Sequence, residues 1–268
     1  MKRLVPLLGV AAALIATLAA CGGGGGGTTT SAVPNPIVFC VDTTYPPAES
    51  IVDGKPAGYD IDLANAIAKR LGSTAQIKVT GFDVIISALK QKKCDAIISS
   101  MTITPDRAKQ IDFVPYLDVG TFLMVKKGNP SHISDLASLS GKSAAVQSAT
   151  TQLDALNAEN KILQKQGKAL ISIKSYPADT SAAAAIQAGK VDAYLADATP
   201  VLYYIRQTGG AFQTAGPQVG IAPEGVATRK GSPLRAQINR AIKALYLNGK
   251  MNTILAHWQA SQFALKNK

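Results

Sequence analysis

Two stretches decide how this chain is read: Lys93-Cys94-Asp95-Ala96-Ile97-Ile98-Ser99 and its later echo Lys190-Val191-Asp192-Ala193-Tyr194-Leu195-Ala196. Each follows a helical pattern, and each has the short apolar run of a buried strand. Outward from the first copy, strands are expected at residues 37–42, 76–79 and 95–99. Between them lie a helix whose apolar face is Leu63, Ile67 and Leu71, capped by Asp60 and ended by Gly72, and a helix from Asp83 through Leu89. Thr104-Pro105-Asp106 is a strong helix start, with a cap, a proline at the first position and an acid in the first turn.

The second copy sits in the same grammar. Ser134 caps a short helix, 143–146 is a strand, 151–166 is a long helix ended by Gly167, and 170–175 is a strand. Asp179 caps an alanine-rich helix ending near Gly189, 191–196 is a strand, and Thr199-Pro200 opens the next helix. Such alternation argues for an α/β chain with mostly parallel sheets, arranged as two similar lobes. Residues 119–125 and 219–228 are apolar, strand-like and contain glycine, as hinges between lobes would. The C-terminal helices begin at Ser232-Pro233, run past Trp258 and return to the first lobe. The expected division is 36–120 with 223–268 as lobe 1, and 121–222 as lobe 2. Ligands of open α/β sheets bind outside the carboxyl ends of the strands. Functional groups are therefore expected near Asp42, in the run Ser99 to Thr102, near Thr150 and near Asp197.

The N-terminus carries its own signal. Lys2 and Arg3 precede an apolar stretch that ends in Leu18-Ala19-Ala20-Cys21, so 1–20 reads as a secretory signal peptide. This end resembles a bacterial lipobox, which implies diacylglycerol attachment at Cys21. Six consecutive glycines, Gly22 to Gly27, with the threonines after them make 21–35 a flexible tether reaching roughly 20 Å. Acyl chains at about 0.8 kcal/mol per buried CH₂ would hold the domain at a membrane. Of the remaining cysteines, Cys40 and Cys94 have two options. A disulfide is permitted outside the cytoplasm, and two small buried thiols fit as well. Because both sit in core strands, we expect them unpaired. Without residues 1–20 the formal charge falls from +11 to +9, since Lys2 and Arg3 leave. The basic residues are scattered singly, with no long run and no aromatic interleaving, so nucleic acid is not an expected partner. No zinc framework is present, only His132 and His257 offer imidazoles, and no metal or cofactor is expected. Gly141-Lys142-Ser143 ends like a phosphate-binding loop, but Leu136 stands where the earlier glycine is required.

Five motifs resemble a known family. They are Asp42-Thr43-Thr44-Tyr45-Pro46-Pro47-Ala48-Glu49, Gly58-Tyr59-Asp60-Ile61-Asp62-Leu63, and Ser99-Ser100-Met101-Thr102-Ile103-Thr104-Pro105-Asp106-Arg107. Val146-Gln147-Ser148-Ala149-Thr150-Thr151 and Asp192-Ala193-Tyr194-Leu195-Ala196-Asp197 follow in order. Across residues 36 to 262 the chain is similar to the family 3 solute-binding proteins, polar and basic amino-acid receptors of ABC importers. The resemblance implies a type II periplasmic binding protein fold: two Rossmann-like lobes joined by two hinge strands. It implies a monomeric, lipid-anchored protein of the periplasm or cell envelope that hands an amino acid to permease subunits. Two departures stand out. Ala48 replaces a frequent phenylalanine, and Ala149 replaces a common glycine, where a positive φ would strain alanine.

The resemblance assigns roles residue by residue. Arg107 would hold the ligand α-carboxylate through its guanidinium fork, and Asp197 the α-ammonium. Ser99, Thr102, Thr150 and Thr151 would complete those contacts. Tyr45 and Phe82 would sandwich the ligand side chain, while Asp42, Ser100 and Gln147 would read its polar head. Arginine, lysine or histidine is the expected ligand, with glutamine second. Two other readings of the fold are a secreted cyclohexadienyl dehydratase, which needs a general acid aimed at the leaving hydroxyl, and a lipoprotein that presents ligand to a sensor.

Overall fold

The computed structural model describes residues 32–266. Residues 1–20, Cys21 and the first part of the tether lie outside this range. Ser31–Lys268 is one compact unit, and its hydrophobic clusters lie between Ile37 and Phe263, so this segment holds its own core.

In chain order the elements are β1 (Ile37–Val41), the hairpin β2 (Ser50–Val52) and β3 (Lys55–Ala57), α1 (Tyr59–Arg70), β4 (Ala75–Val79), α2 (Ile85–Lys90) and β5 (Ala96–Ile97). Then come α3 (Pro105–Gln110), β6 (Ile111–Lys126), β7 (Ser143–Gln147), α4 (Thr151–Lys165), β8 (Ser172–Tyr176), α5 (Asp179–Gln187) and β9 (Ala193–Asp197). The chain closes with α6 (Ala198–Gln207), β10 (Phe212–Arg229), α7 (Pro233–Leu247) and α8 (Lys250–His257), plus single 3₁₀ turns at Ala137–Leu139 and Ser261–Phe263.

Apart from the hairpin, the strands form one sheet in the order β4-β1-β5-β10-β6-β9-β7-β8. Its two flanks are parallel, and between them β6 and β10 run antiparallel to each other as the two hinge strands. The echoed stretches occupy matching places. β5 lies between parallel β1 and antiparallel β10, and β9 lies between parallel β7 and antiparallel β6. In each copy the aspartate accepts from the first part of the parallel neighbour: Asp95 from Val38 N at 3.0 Å and Asp192 from Ser143 N at 2.8 Å. The echo is thus a repeated strand junction.

Local sequence explains the elements around the site. β1 reads Ile-Val-Phe-Cys-Val because parallel strands are covered on both faces. Helix α1 buries Leu63 and Ile67, spaced by four, against α7 and α8, and truncating such a side chain costs about 2–5 kcal/mol. Thr104 caps α3 as expected, its hydroxyl accepting from Arg107 N at 3.2 Å with Pro105 in the first turn. Asp60 and Asp179, by contrast, are not caps. Gly58 and Ala178 precede their helices, and both carboxyls are buried. The short helix expected after Ser134 is a 3₁₀ turn entered from Leu136.

Two further corrections concern the sheet. Cys40 and Cys94 form a disulfide with Cα atoms 5.7 Å apart, not two free thiols. Pairing of β1 with β5, Cys40 opposite Ile97, draws the residues before β5 alongside β1, which strand-by-strand reading does not reveal. The hinge strands are also longer than 119–125 and 219–228, beginning at Ile111 and Phe212. Their register shifts between Ala215 and Val219 and again between Val219 and Ala222. There Gly120 is needed because a Cβ would lie 2.8 Å from the Val219 carbonyl oxygen.

Candidate functional site

The carboxyl ends of the strands of both flanks converge on one narrow cavity. All eleven residues singled out from the sequence as ligand contacts line it. Asp42 and Tyr45 follow β1, Phe82 precedes α2, and Ser99, Ser100, Thr102 and Arg107 follow β5. From the other flank come Gln147 at the end of β7, Thr150 and Thr151 at the start of α4, and Asp197 at the end of β9. Two lining residues went unpredicted, Glu49 and Gln152. Both have a signal in hindsight. Glu49 ends the first quoted motif, and Gln152 directly follows the Thr150-Thr151 pair.

Hydrogen bonds join the two flanks across the cavity. The Tyr45 hydroxyl donates to Asp197 Oδ2 at 2.8 Å and accepts from Asp197 N at 3.0 Å. Gln147 Nε2 donates to Asp42 Oδ2 at 2.6 Å, and Asp179 N donates to Thr44 Oγ1 at 3.1 Å. Arg107 spans the same gap, donating from Nη1 to the Thr102 carbonyl at 2.8 Å and from Nη2 to the Ala149 carbonyl at 3.0 Å. Its guanidinium lies over the Phe82 ring, 5.4 Å from the centroid, so in this form Phe82 faces the arginine. Thr150 caps α4 by accepting from Leu153 N, and it donates to the Gln147 carbonyl at 2.7 Å. Thr151, the first residue of α4, donates to Gln152 Oε1.

The electrostatics are set by burial. The Arg107 guanidinium is hydrogen-bonded by backbone carbonyls and not by a carboxylate, and desolvation lowers its pKa while it stays charged. Burial pushes Asp197 up to about 6, against the pull of Tyr45, Arg107 and Gln152, whose Nε2 donates to Oδ1 at 2.6 Å. Burial raises Asp42 as well, opposed chiefly by the Gln147 bond. Within the lining, Ser99 donates to Glu49 Oε1 at 2.8 Å, and behind it Ser100 N and the Tyr116 hydroxyl donate to Asp60 Oδ2 at 2.8 and 3.0 Å. Glu49 and Glu224 are raised well above the usual range, first by burial and then by neighbouring acids. Carboxyls so placed are held neutral or paired, because an isolated buried charge is prohibitively costly.

The cavity therefore presents a guanidinium from one flank and a carboxyl from the other, with aromatic rings and further acids between. That arrangement is complementary to a small zwitterion. Ala149 has φ 60°, so the position that invited glycine does take the left-handed conformation.

Known proteins agree with this geometry. Residues 37–261 match the bacterial extracellular solute-binding proteins, family 3. The L-cystine-binding protein TcyJ of Escherichia coli (strain K12) is 31% identical over 222 residues, covering 81% of this chain and 80% of that protein. The L-arginine-binding protein of Pseudomonas aeruginosa is 33% identical over 234 residues, covering 83% and 87%. Among solved structures, an ancestral arginine-binding protein bound to arginine superposes with a TM-score of 0.77 at 35% identity, covering 84% of this chain and 98% of that one. Motifs, sheet topology and these likenesses coincide over the same residues, and the chain belongs to the family 3 bacterial extracellular solute-binding proteins.

Proposed function

We propose that this protein is a receptor for a polar L-amino acid, which it encloses between its two lobes and delivers to the permease of an ABC importer. The observation that carries this reading is the pairing of Arg107 and Asp197, which enter one cavity from opposite flanks of the sheet. The guanidinium takes the α-carboxylate, exchanging its carbonyl partners Thr102 and Ala149 for a bidentate, charge-assisted pair. Asp197 takes the α-ammonium with Thr150 and Thr151 nearby, and Ser99 and Thr102 complete the carboxylate side. Tyr45 and Phe82 flank the ligand side chain. Asp42, Ser100 and Gln147 form a polar end whose carboxyl favours a cationic head, so arginine, lysine or histidine is preferred over glutamine. Relatives described as binding arginine support that order, while the cystine-binding relative marks the nearest different outcome.

The same reading divides the domain at 120/121, inside a register shift of the hinge strands, and at 222/223, just past that shift. It places the protein in the cell envelope, held by lipid on Cys21 through the tether. A ligand that bridges the two lobes favours the closed arrangement differentially, and this difference drives closure.

The test is calorimetric titration of residues 32–268, freed of co-purified ligand, with each L-amino acid. One basic amino acid should bind with affinity near micromolar, about −8 kcal/mol. Arg107→Ala should weaken it by at least about 30-fold, the cost of leaving a buried carboxylate unpaired. Unchanged affinity in a folded Arg107→Ala protein would remove the carboxylate assignment. No response to any amino acid would remove the receptor reading.

A further inference from the structure

We propose that the groove between the C-terminal end of α1 and the α7–α8 corner is a membrane-facing surface that takes anionic lipid headgroups. Lys69 and Arg70 line one wall and Lys250 the other, with Asn248 and Thr253 between them and no acidic side chain in the lining. All three cations are exposed, and among the described residues no acid forms an ion pair with them. The nearest acid on α1, Asp62, lies one turn before the groove and accepts from Trp258 Nε1 at 2.8 Å. At the corner itself Leu247 is 87% exposed. A bare leucine three residues before Lys250 suits an interface where apolar tips enter and charged heads stay at the phosphate level.

Helix stability does not account for the arrangement. Lys69 and Arg70 close α1, where cations favour the helix dipole, but Lys250 opens α8, where a cation opposes it. The position of the groove fits the occupant. The first described residues are pinned beside it: Ser73 donates to the Pro34 carbonyl at 2.7 Å and Thr74 N to Asn35 Oδ1 at 3.4 Å. Arg70 is three residues from Ser73, at most about 11 Å away. The described domain thus begins next to the groove, on the side from which the sequence leads back to Cys21. This argument for orientation rests on the proposed lipid anchor, but the binding measurement does not need it.

The experiment is co-sedimentation of residues 32–268 with vesicles of phosphatidylcholine alone or with added phosphatidylglycerol, at 0.1 M salt. The parent should bind only the anionic vesicles, and less at higher salt. Each cation near such a surface is worth about a fivefold factor, so K69Q/R70Q/K250Q should bind about a hundredfold more weakly. The control K161Q/K165Q/K168Q makes the same change in net charge on exposed positions of and beyond α4, and should stay close to the parent. Leu247→Ser should lose a few-fold. Equal loss in both triple variants, or a parent that binds both vesicles alike or neither, would overturn the proposal. Failure of a fatty-acid label to reach Cys21 in producing cells would instead remove the anchor and leave the vesicle result standing.

Discussion

The two flanks of the sheet share a plan and differ in what they present. In the first, Ser100 follows the echoed stretch that contains β5 and enters the cavity; in the second, the matching position is Asp197, the last residue of β9. The first flank adds Arg107 from α3, and the second adds Gln147 and Gln152 from β7 and α4. Scaffold positions are duplicated, down to Asp95 and Asp192 fastening the neighbouring strands. The charges are not, since one copy carries the cation and the other the matching carboxyl. A repeated frame thus becomes a receptor through a few unlike residues at like places, because function resides in the site and not in the fold.

The largest test of that asymmetry is Asp197. Burial holds its carboxyl at about 6, and it must be ionised to accept an ammonium. Below pH 6 binding has to displace a proton, so arginine affinity should fall about fivefold from pH 6 to pH 5 and be nearly flat above pH 7. Asp197→Ser, which gives the second flank the residue found at the equivalent place in the first, should lose at least about 30-fold at pH 7.5. Its residual binding should lack the acid-side slope. Equal affinity of the parent at pH 5 and 7.5 would detach Asp197 from the ammonium.

A smaller difference lies one layer deeper. Asp60 in the first flank accepts from Ser100 N and the Tyr116 hydroxyl, and its carboxyl rises only to about 6. In the second flank Asp179 has one such side-chain donor, the Tyr194 hydroxyl at 2.6 Å, and burial lifts it to about 8. A carboxyl raised in the fold binds its proton more tightly there than in the unfolded chain. Its contribution is therefore full below about pH 4 and is lost as pH rises toward 8. Asp179→Asn stays neutral and keeps an acceptor for Tyr194, so its melting temperature should fall less between pH 5 and pH 8 than the parent's. Even a tenfold change in proton affinity is worth about 1.4 kcal/mol, or about 3–5 °C. Parallel curves for the two proteins would mean that Asp179 is ionised in the fold.

These acids also show what sequence reading reaches. Residues at strand ends were legible, since the strand pattern and motifs point to Asp42, Ser100, Thr150 and Asp197 without knowledge of neighbours. Asp60 and Asp179 stand at helix starts, where an exposed cap and a buried carboxyl look alike. Only the tyrosines from β6 and β9 distinguish them. Glu49 is 1% exposed, an improbable place for glutamate until Ser99 is seen donating to it. The disulfide stayed hidden for a related reason, because it depends on which strands pair. The early part of β6 was masked by Asp112, Pro115 and Asp118, which interrupt its apolar pattern, although Val114 and Phe113 pair with Val226 and Ala227 of β10.

The smallest test concerns the loops after β1 and β7, which hold matching places in the two flanks. After β1 the loop offers side chains, Asp42 and Tyr45. After β7 it also offers backbone, because Ala149 at φ 60° turns its carbonyl to Arg107. The left-handed conformation costs an L-residue about 1–2 kcal/mol, while glycine there costs about 0.5–1 kcal/mol in unfolded-state entropy. Ala149→Gly should therefore stabilise by about 0.5–1 kcal/mol in a denaturant titration, with arginine affinity changed by less than about threefold. A loss of stability would show that the methyl group of Ala149 packs well enough to outweigh the strain. A large gain in affinity would show instead that the strained loop holds Arg107 back from the ligand, making the second flank a regulator of the cation presented by the first.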